Sequence, residues 1–333
     1  MFLSIIIPHY NLPKELLERC IESIVKQEMP SDDYEIIIVD DGSITPPVWV
    51  ESQYPDTNIR LIAARHNGPG AARNYGLEDA KGTYIEFVDA DDALIPGDEY
   101  RQCIKVLRSE MPDILHFKYR VTPIGSNPQI NGKSRRITFS HTISGARYMN
   151  NFNLPGSPCC YFVRRSLIIE KMIHFPINTF HEDEAFNTML HFHARTLVHC
   201  DAVLYNYIIR KGSTTANGSK SFEERRINDM LYIIESLHTF RKEQQNCSDI
   251  QNKGFKHKFT MLGVDAILNM MHCGMSAEDI ITKCNKHLAP LGIYPLPKEA
   301  YSIKYRIFRL LANNKCGMKI LRRILPTQRT VTK

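Results

Sequence analysis

Three apolar runs in the N-terminal third of the chain each end abruptly in polar residues. Phe2–Ile7 runs into Pro8-His9-Tyr10, Tyr34–Val39 into Asp40-Asp41, and Tyr84–Val88 into Asp89-Ala90-Asp91-Asp92. Each run is short, continuous and rich in β-branched or aromatic residues, the pattern of a strand buried on both faces. Arg60–Ala64 is a shorter strand of the same kind. A helix is predicted from Lys14 to about Gln27, where Leu16, Leu17, Cys20, Ile21, Ile24 and Val25 recur at helical spacing. Gly70–Ala80 reads as a second helix built of small residues. Strands that alternate with helices predict a doubly wound, mostly parallel α/β sheet flanked by helices. In such a sheet the C-terminal strand ends line one crevice.

The third of these ends carries the strongest chemical signal. Asp89 and Asp91 are two positions apart, so on extended backbone their carboxylates point the same way. Paired hard oxygen ligands suit Mg²⁺ or Mn²⁺, which complete their shells with water and a ligand's phosphates. A solvated acidic turn is the plain alternative. Neither a Gly-x-Gly-x-x-Gly nor a Walker phosphate loop follows the first strand, which reads Pro8-His9-Tyr10-Asn11. Both absences count against a dehydrogenase or a P-loop enzyme, whose chemistry depends on glycine-rich backbone around phosphates.

Composition bounds the rest. The 333 residues are 43% hydrophobic and 23% charged, as in ordinary soluble proteins. No run approaches the roughly 18 apolar residues of a membrane span. Met1–Pro8 reads as a first strand rather than a signal peptide. The nine cysteines are scattered, without a Cys-x-x-Cys, and suit reduced thiols in a cytosolic protein. The net charge of +6 is local: residues 301–333 hold nine Lys or Arg and no acid, leaving 33 basic and 36 acidic residues in 1–300. The basic character therefore belongs to the C-terminal segment.

Four segments together carry a resemblance. Ser4-Ile5-Ile6-Ile7-Pro8-His9-Tyr10-Asn11, Val39-Asp40-Asp41-Gly42-Ser43, Gly70-Ala71-Ala72-Arg73-Asn74-Tyr75-Gly76 and Phe87-Val88-Asp89-Ala90-Asp91-Asp92 resemble the successive blocks of family 2 glycosyltransferases, in that family's order. The resemblance covers about the first hundred residues. It implies a GT-A fold, inverting transfer from a nucleoside diphosphate sugar, usually a UDP-sugar, and a divalent metal, Mn²⁺ or Mg²⁺, on the diphosphate. It further implies that Pro8 and Tyr10 frame the base, Asp40 bonds the base ring and Asp41 supports that loop. Arg73 would face the base or phosphates, Asp89 would hold the ribose, and Asp91, with Asp89 beside it, the metal.

Downstream, Pro96–Leu107 reads as a helix, Ile114–Tyr119 as a strand, and Thr122–Arg136 as an exposed loop or hairpin. Ser157–Val163 reads as a strand after a turn. His181-Glu182-Asp183-Glu184 opens a helix running to about His193. Acids there are favoured by the helix dipole alone. An inverting transfer, however, needs a carboxylate to take the acceptor's proton. The family places an Asp in a Glu-Asp pair at this point, which makes Asp183 the candidate base and Glu182 its neighbour. His191 and His193 miss the zinc-helix spacing and read as surface or structural. Tyr205–Ile209 is a strand leading into a basic loop. Arg210, Lys211 and Ser213 there either stabilise the departing diphosphate or form a plain surface loop.

After residue 220 the spacing turns helical, over 222–243, 254–271 and 276–286. The segment 301–333 reads as one or two basic amphipathic helices broken near Asn313-Asn314. Such helices lie in anionic membrane surfaces or pack on the protein with the basic face in water. No nucleic-acid motif accompanies the charge.

The expected organisation is a GT-A catalytic domain over 1–219, with a donor half 1–94 and an acceptor half 95–219. A helical extension over 220–300 and a basic tail over 301–333 would follow. The expected protein is a cytoplasmic glycosyltransferase, peripheral on the inner face of the plasma membrane. It would move one sugar to a hydroxyl of a glycan or lipid-linked acceptor. The processive family members' Gln-x-x-Arg-Trp does not follow the candidate base. A nucleotidyltransferase acting on a sugar phosphate, or a non-catalytic nucleotide-binding protein at the membrane, are the alternatives.

Overall fold

The structure is a computed structural model that describes residues 1–123, 136–210, 219–299 and 301–325. Among these residues eight strands form one sheet: β1 Leu3–His9, β2 Tyr34–Asp40, β3 Ile59–Ala63, β4 Tyr84–Phe87, β5 Ala93–Leu94, β6 Ile114–Pro123, β7 Tyr161–Arg164 and β8 Leu197–Ile209. The helices that accompany them are α1 Lys14–Val25, α2 Val50–Gln53, α3 Pro69–Asp79, α4 Asp98–Glu110, α5 Gly145–Asn151, α6 Arg165–Glu170 and α7 Glu182–His193. The C-terminal helices are α8 Lys220–Glu243, α9 Asp249–His272, α10 Ala277–Lys283, α11 Ile303–Ala312 and α12 Lys315–Ile324. None of the described helices is long and apolar enough to cross a membrane. Most of the segment read as an exposed loop, 124–135, lies outside the described residues.

The sheet runs β3-β2-β1-β4-β7-β6-β8-β5 and is mixed. Its first four strands pair in parallel, as the alternating pattern predicts, and all seven residues of β2 are buried. Beyond β4 the rule changes: β7 is antiparallel to both β4 and β6, and β5 is antiparallel to β8. The chain order reverses at β1, which has β2 on one side and β4 on the other. That reversal opens a crevice at the C-terminal ends of β1, β2 and β4.

Small residues in α3 let it lie close on the sheet. A Cβ on Gly76 would stand 2.4 Å from Ile6 Cγ2, so this helix face tolerates only glycine there. Asn74 fixes the helix to a distant loop, donating to Phe175 O at 2.8 Å and accepting from Phe175 N at 2.9 Å. Phe175 stacks on Phe186 of α7 at 3.8 Å between centroids, and Phe87 meets both rings edge-on. α3, β4 and α7 are thereby held around one aromatic cluster.

Two compact units are formed, one by the described residues within 1–148 and 155–216, the other by those within 149–154 and 217–333. In the second unit the C-terminal segment is folded onto its neighbours rather than standing apart. Tyr294 Oη donates to Ala312 O at 3.1 Å, and Asn313 bonds both main-chain groups of Leu296. α12 buries Gly317, Met318 and Leu321. Its Lys315 and Lys319 reach Glu278 of α10, each at 3.3 Å. The break between α11 and α12 falls at Asn313-Asn314, as the spacing predicts, and Asn314 caps α12 by accepting from Gly317 N.

Candidate active site

The crevice is built from strand ends. At the end of β1, His9 Nδ1 lies 2.9 Å from Asp40 Oδ1 at the end of β2. Asp40 also accepts from Ser43 Oγ at 2.5 Å and from Ser43 N at 3.1 Å. Asp40 is only 1% exposed, so its carboxylate organises the turn from inside and its oxygens face His9 and Ser43. The turn itself needs Gly42, whose φ is +76°. Asp41 accepts from Asn67 N at 2.8 Å and Gly68 N at 2.9 Å, and its Oδ2 lies 2.8 Å from His66 Nδ1. It thus ties the loop that leads into α3. Tyr10 stacks on His66 with centroids 4.1 Å apart and planes 17° from parallel, and stays 44% exposed. The stacked pair is a flat aromatic surface just past the end of β1, two residues after the partly exposed Pro8.

Arg73 of α3 sits beneath. It is 6% exposed, and its two terminal nitrogens are taken by carboxylates: Nη2 lies 2.9 Å from Asp89 Oδ1, Nη1 3.0 Å from Glu182 Oε1. The resemblance implies an Arg73 that faces a base or phosphate; here it faces two acids instead. The reason is packing, since α7 brings Glu182 against α3, where Glu182 Cγ is a close neighbour of Gly70. Those two carboxylates hold the guanidinium in its charged form against the cost of burial.

The two aspartates of the Asp-x-Asp have different partners. Asp89 is pinned by Arg73, while Asp91 Oδ2 accepts from Arg210 Nε at 2.7 Å at the end of β8. Both side chains are partly exposed, 32% and 23%. Lys211 and Ser213, grouped with Arg210 from the sequence, lie outside the described residues. Among the described residues no three His, Cys, Asp or Glu side chains converge as a metal cage. The donors present fit a hard divalent cation only if it draws most of its shell from a diphosphate and water, with Asp89 and Asp91 offering the carboxylate oxygens that Arg73 and Arg210 leave free.

Asp92 is a site residue that the sequence did not single out. It is 1% exposed, and accepts from Tyr205 Oη and Ile208 N, each at 2.7 Å. The same Tyr205 hydroxyl accepts from Asp89 N at 3.2 Å. Burial, reinforced by the charge of Asp89, pushes the Asp92 carboxyl up to about 8. β8 therefore laces the whole Asp89–Asp92 turn in place. Nothing in the local pattern of Tyr205-Asn206-Tyr207 announces this, because the contact spans 113 residues.

Asp183 stands in the first turn of α7, beside the Arg73-bound Glu182. Its Oδ1 accepts from Glu184 N at 2.9 Å, which fixes the carboxyl's direction. Burial raises its proton affinity well above the ordinary Asp range, the neighbouring Glu182 and Glu184 raise it further, and Arg73 opposes them. At the other end of α7, His191 is fully buried, its Nε2 2.7 Å from His116 Nε2 and its Nδ1 2.6 Å from Asn187 O. Of the two readings given above for His191, the structural one describes it.

Comparison with known proteins bears on this geometry. The family model described as "Glycosyl transferase family 2" matches residues 4–171, half of the chain. The poly(ribitol-phosphate) beta-glucosyltransferase of Bacillus spizizenii is 46% identical over 96 residues, 28% of this chain and 15% of that protein. The putative glycosyltransferase EpsH of Bacillus subtilis is 26% identical over 263 residues, 75% of this chain and 72% of that one. The poly(ribitol-phosphate) beta-N-acetylglucosaminyltransferase TarS of Staphylococcus aureus is 26% identical over 269 residues, 78% of this chain and 45% of that protein. A crystal structure of S. aureus TarS 1–349 in complex with UDP-GlcNAc superposes with a TM-score of 0.64 at 19% identity, covering 97% of this chain and 92% of that one. A likeness at that identity speaks for the fold.

Proposed function

The chain belongs to glycosyl transferase family 2, and from that premise we propose that it moves a single sugar from a UDP-sugar to a hydroxyl of a glycan or lipid-linked acceptor. The observation that carries this reading is the Arg73 bridge. It places Asp89, at the donor end of the sheet, and Glu182, next to the candidate base, on one guanidinium. A donor held near Asp89 and an acceptor held near Asp183 then meet in the same crevice.

In this mechanism the uracil lies on the Tyr10–His66 platform beside Pro8. Asp40 and Asp41 keep that platform in shape, and Asp89 holds the ribose. Asp183 takes the proton of the acceptor hydroxyl as its oxygen attacks the anomeric carbon. The bond from that carbon to the diphosphate oxygen breaks with its electron pair, and the configuration inverts. Arg210, drawn from Asp91, meets the negative charge that gathers on the leaving diphosphate. Asp91, with Asp89 beside it, would hold a Mn²⁺ or Mg²⁺ ion, which supplies further charge neutralisation there when bound. The basic C-terminal segment supports a place on the cytoplasmic face of the membrane.

The test is calorimetric binding of UDP, GDP and CDP, each with and without Mn²⁺, to wild type and Asp91→Ala. Metal-dependent UDP binding that disappears in the variant is expected. Tighter binding of GDP or CDP would overturn the donor assignment. Release of pyrophosphate from a nucleoside triphosphate would favour a nucleotidyltransferase instead.

A further inference from the structure

We propose that the outward face of α11 is a docking surface for anionic lipid, with Ile303, Ile307 and Leu310 as the inserted ridge and Lys304 and Arg306 as its flanking cations. This rests on the membrane-peripheral reading above and names the surface that performs it.

The helix is amphipathic in the sense opposite to an ordinary packed helix. Its inward side is already satisfied: Tyr305 and Ala312 are buried, and Tyr305 Oη donates to Pro297 O at 2.5 Å. The large aliphatic residues lie on the other side, Ile303 67%, Ile307 56% and Leu310 59% exposed. At about 100° of rotation per residue these three fall within an arc of roughly 60°, across the axis from Tyr305 and Ala312. Lys304 and Arg306 lie on either side of that arc, both exposed and without an ion pair among the described residues. Single exposed aliphatics are common, whereas a row of three rimmed by cations marks an interaction site.

The chemistry selects the partner. A helix lying in a bilayer interface buries an aliphatic face and sets Lys or Arg at the headgroups. The surrounding segment, 301–333, has nine basic residues and no acidic one, so it complements an anionic surface. A symmetric dimer through the same ridge would bring Lys304 and Arg306 of two copies face to face, and like charges oppose that. Nucleic acid would leave the aliphatic ridge in water. α12 is less suited, because Lys315 and Lys319 are engaged by Glu278, and Arg322 donates to Met271 O at 3.3 Å and Gly274 O at 3.2 Å.

The experiment is flotation of the full chain with phosphatidylglycerol-rich and with pure phosphatidylcholine vesicles. Wild type should float with the first and not the second. Ile307→Glu should lower partitioning at least tenfold. Lys304→Ser with Arg306→Ser should lower it by about fivefold per charge removed, a loss that high salt reproduces in wild type. UDP binding and the thermal midpoint should stay unchanged in all variants, which separates this surface from the donor site. Flotation of Ile307→Glu at the wild-type level would overturn the proposal. So would wild type that ignores anionic vesicles, or a wild-type dimer that Ile307→Glu converts to monomer.

Discussion

Arg73 and Glu182 are joined by a 3.0 Å ion pair across 109 residues of chain, with the guanidinium 7% and the carboxylate 12% exposed. The helix that carries Arg73 is thereby bolted to the helix that carries the candidate base. A buried pair of this kind is costly to break from one side, because the partner is left as an uncompensated charge. Arg73→Ala should therefore destabilise the protein by about 3 kcal/mol in urea unfolding. Arg73→Lys should recover only part of that, since one ammonium does not reproduce a forked contact to two carboxylates. A loss below about 1 kcal/mol would mean the pair is worth no more than a surface one.

Asp183→Asn should lower transfer by about 10²- to 10⁴-fold, the usual contribution of a general base, with UDP binding retained. Burial and, after it, the neighbouring acids hold the Asp183 proton on, so the rate should rise with pH through a limb above the ordinary Asp range. Removing one of those acids lowers the proton affinity. Glu184→Gln should accordingly move this limb to lower pH. A limb that stays in place would take the base role away from Asp183.

Asp91 has Arg210 on its carboxylate at 2.7 Å, the carboxylate proposed above to hold a metal. Arg210→Ala removes that competitor, so Mn²⁺ titration without nucleotide should show tighter metal binding. The same variant should lose about 10²-fold in turnover if Arg210 serves the leaving diphosphate. Unchanged metal affinity together with unchanged turnover would leave Arg210 a surface partner only.

Glu86 on β4 is completely buried, with Tyr100 Oη donating to it at 2.6 Å, and burial pushes its carboxyl up to about 8. From the ordinary Glu value near 4.3 up to about 8, the folded protein keeps a proton that the unfolded chain has lost. Stability should therefore fall as pH rises across that window, by at most about 1.4 kcal/mol per pH unit. Glu86→Gln, which stays neutral, should flatten the dependence and raise the thermal midpoint near pH 8. A variant with the wild-type slope would assign the pH dependence to other groups.

Much of the fold was legible because it is written in local periodicity. The buried runs of β1, β2 and β4, the small-residue helix α3 and the break at Asn313-Asn314 all fall where spacing places them. The antiparallel β7 and the full thirteen residues of β8 were not legible, since a strand's neighbours depend on where the chain returns.

The same division runs through the site. The sequence by itself determined that Asp40, Asp89 and Asp91 stand at the C-terminal ends of parallel strands, because a buried strand places whatever follows it in the crevice. It also determined that Asp183 begins a helix. Tertiary structure alone decided which partners those carboxylates meet: Asp40 with His9, Asp89 and Glu182 with Arg73, Asp91 with Arg210, Asp92 with Tyr205. It also turned Ile303, Ile307 and Leu310 outward while folding α12 down. The physical reason is range. Helical and strand periodicity are settled within a few residues, whereas an ion pair across a hundred residues exists only after packing has brought two elements together.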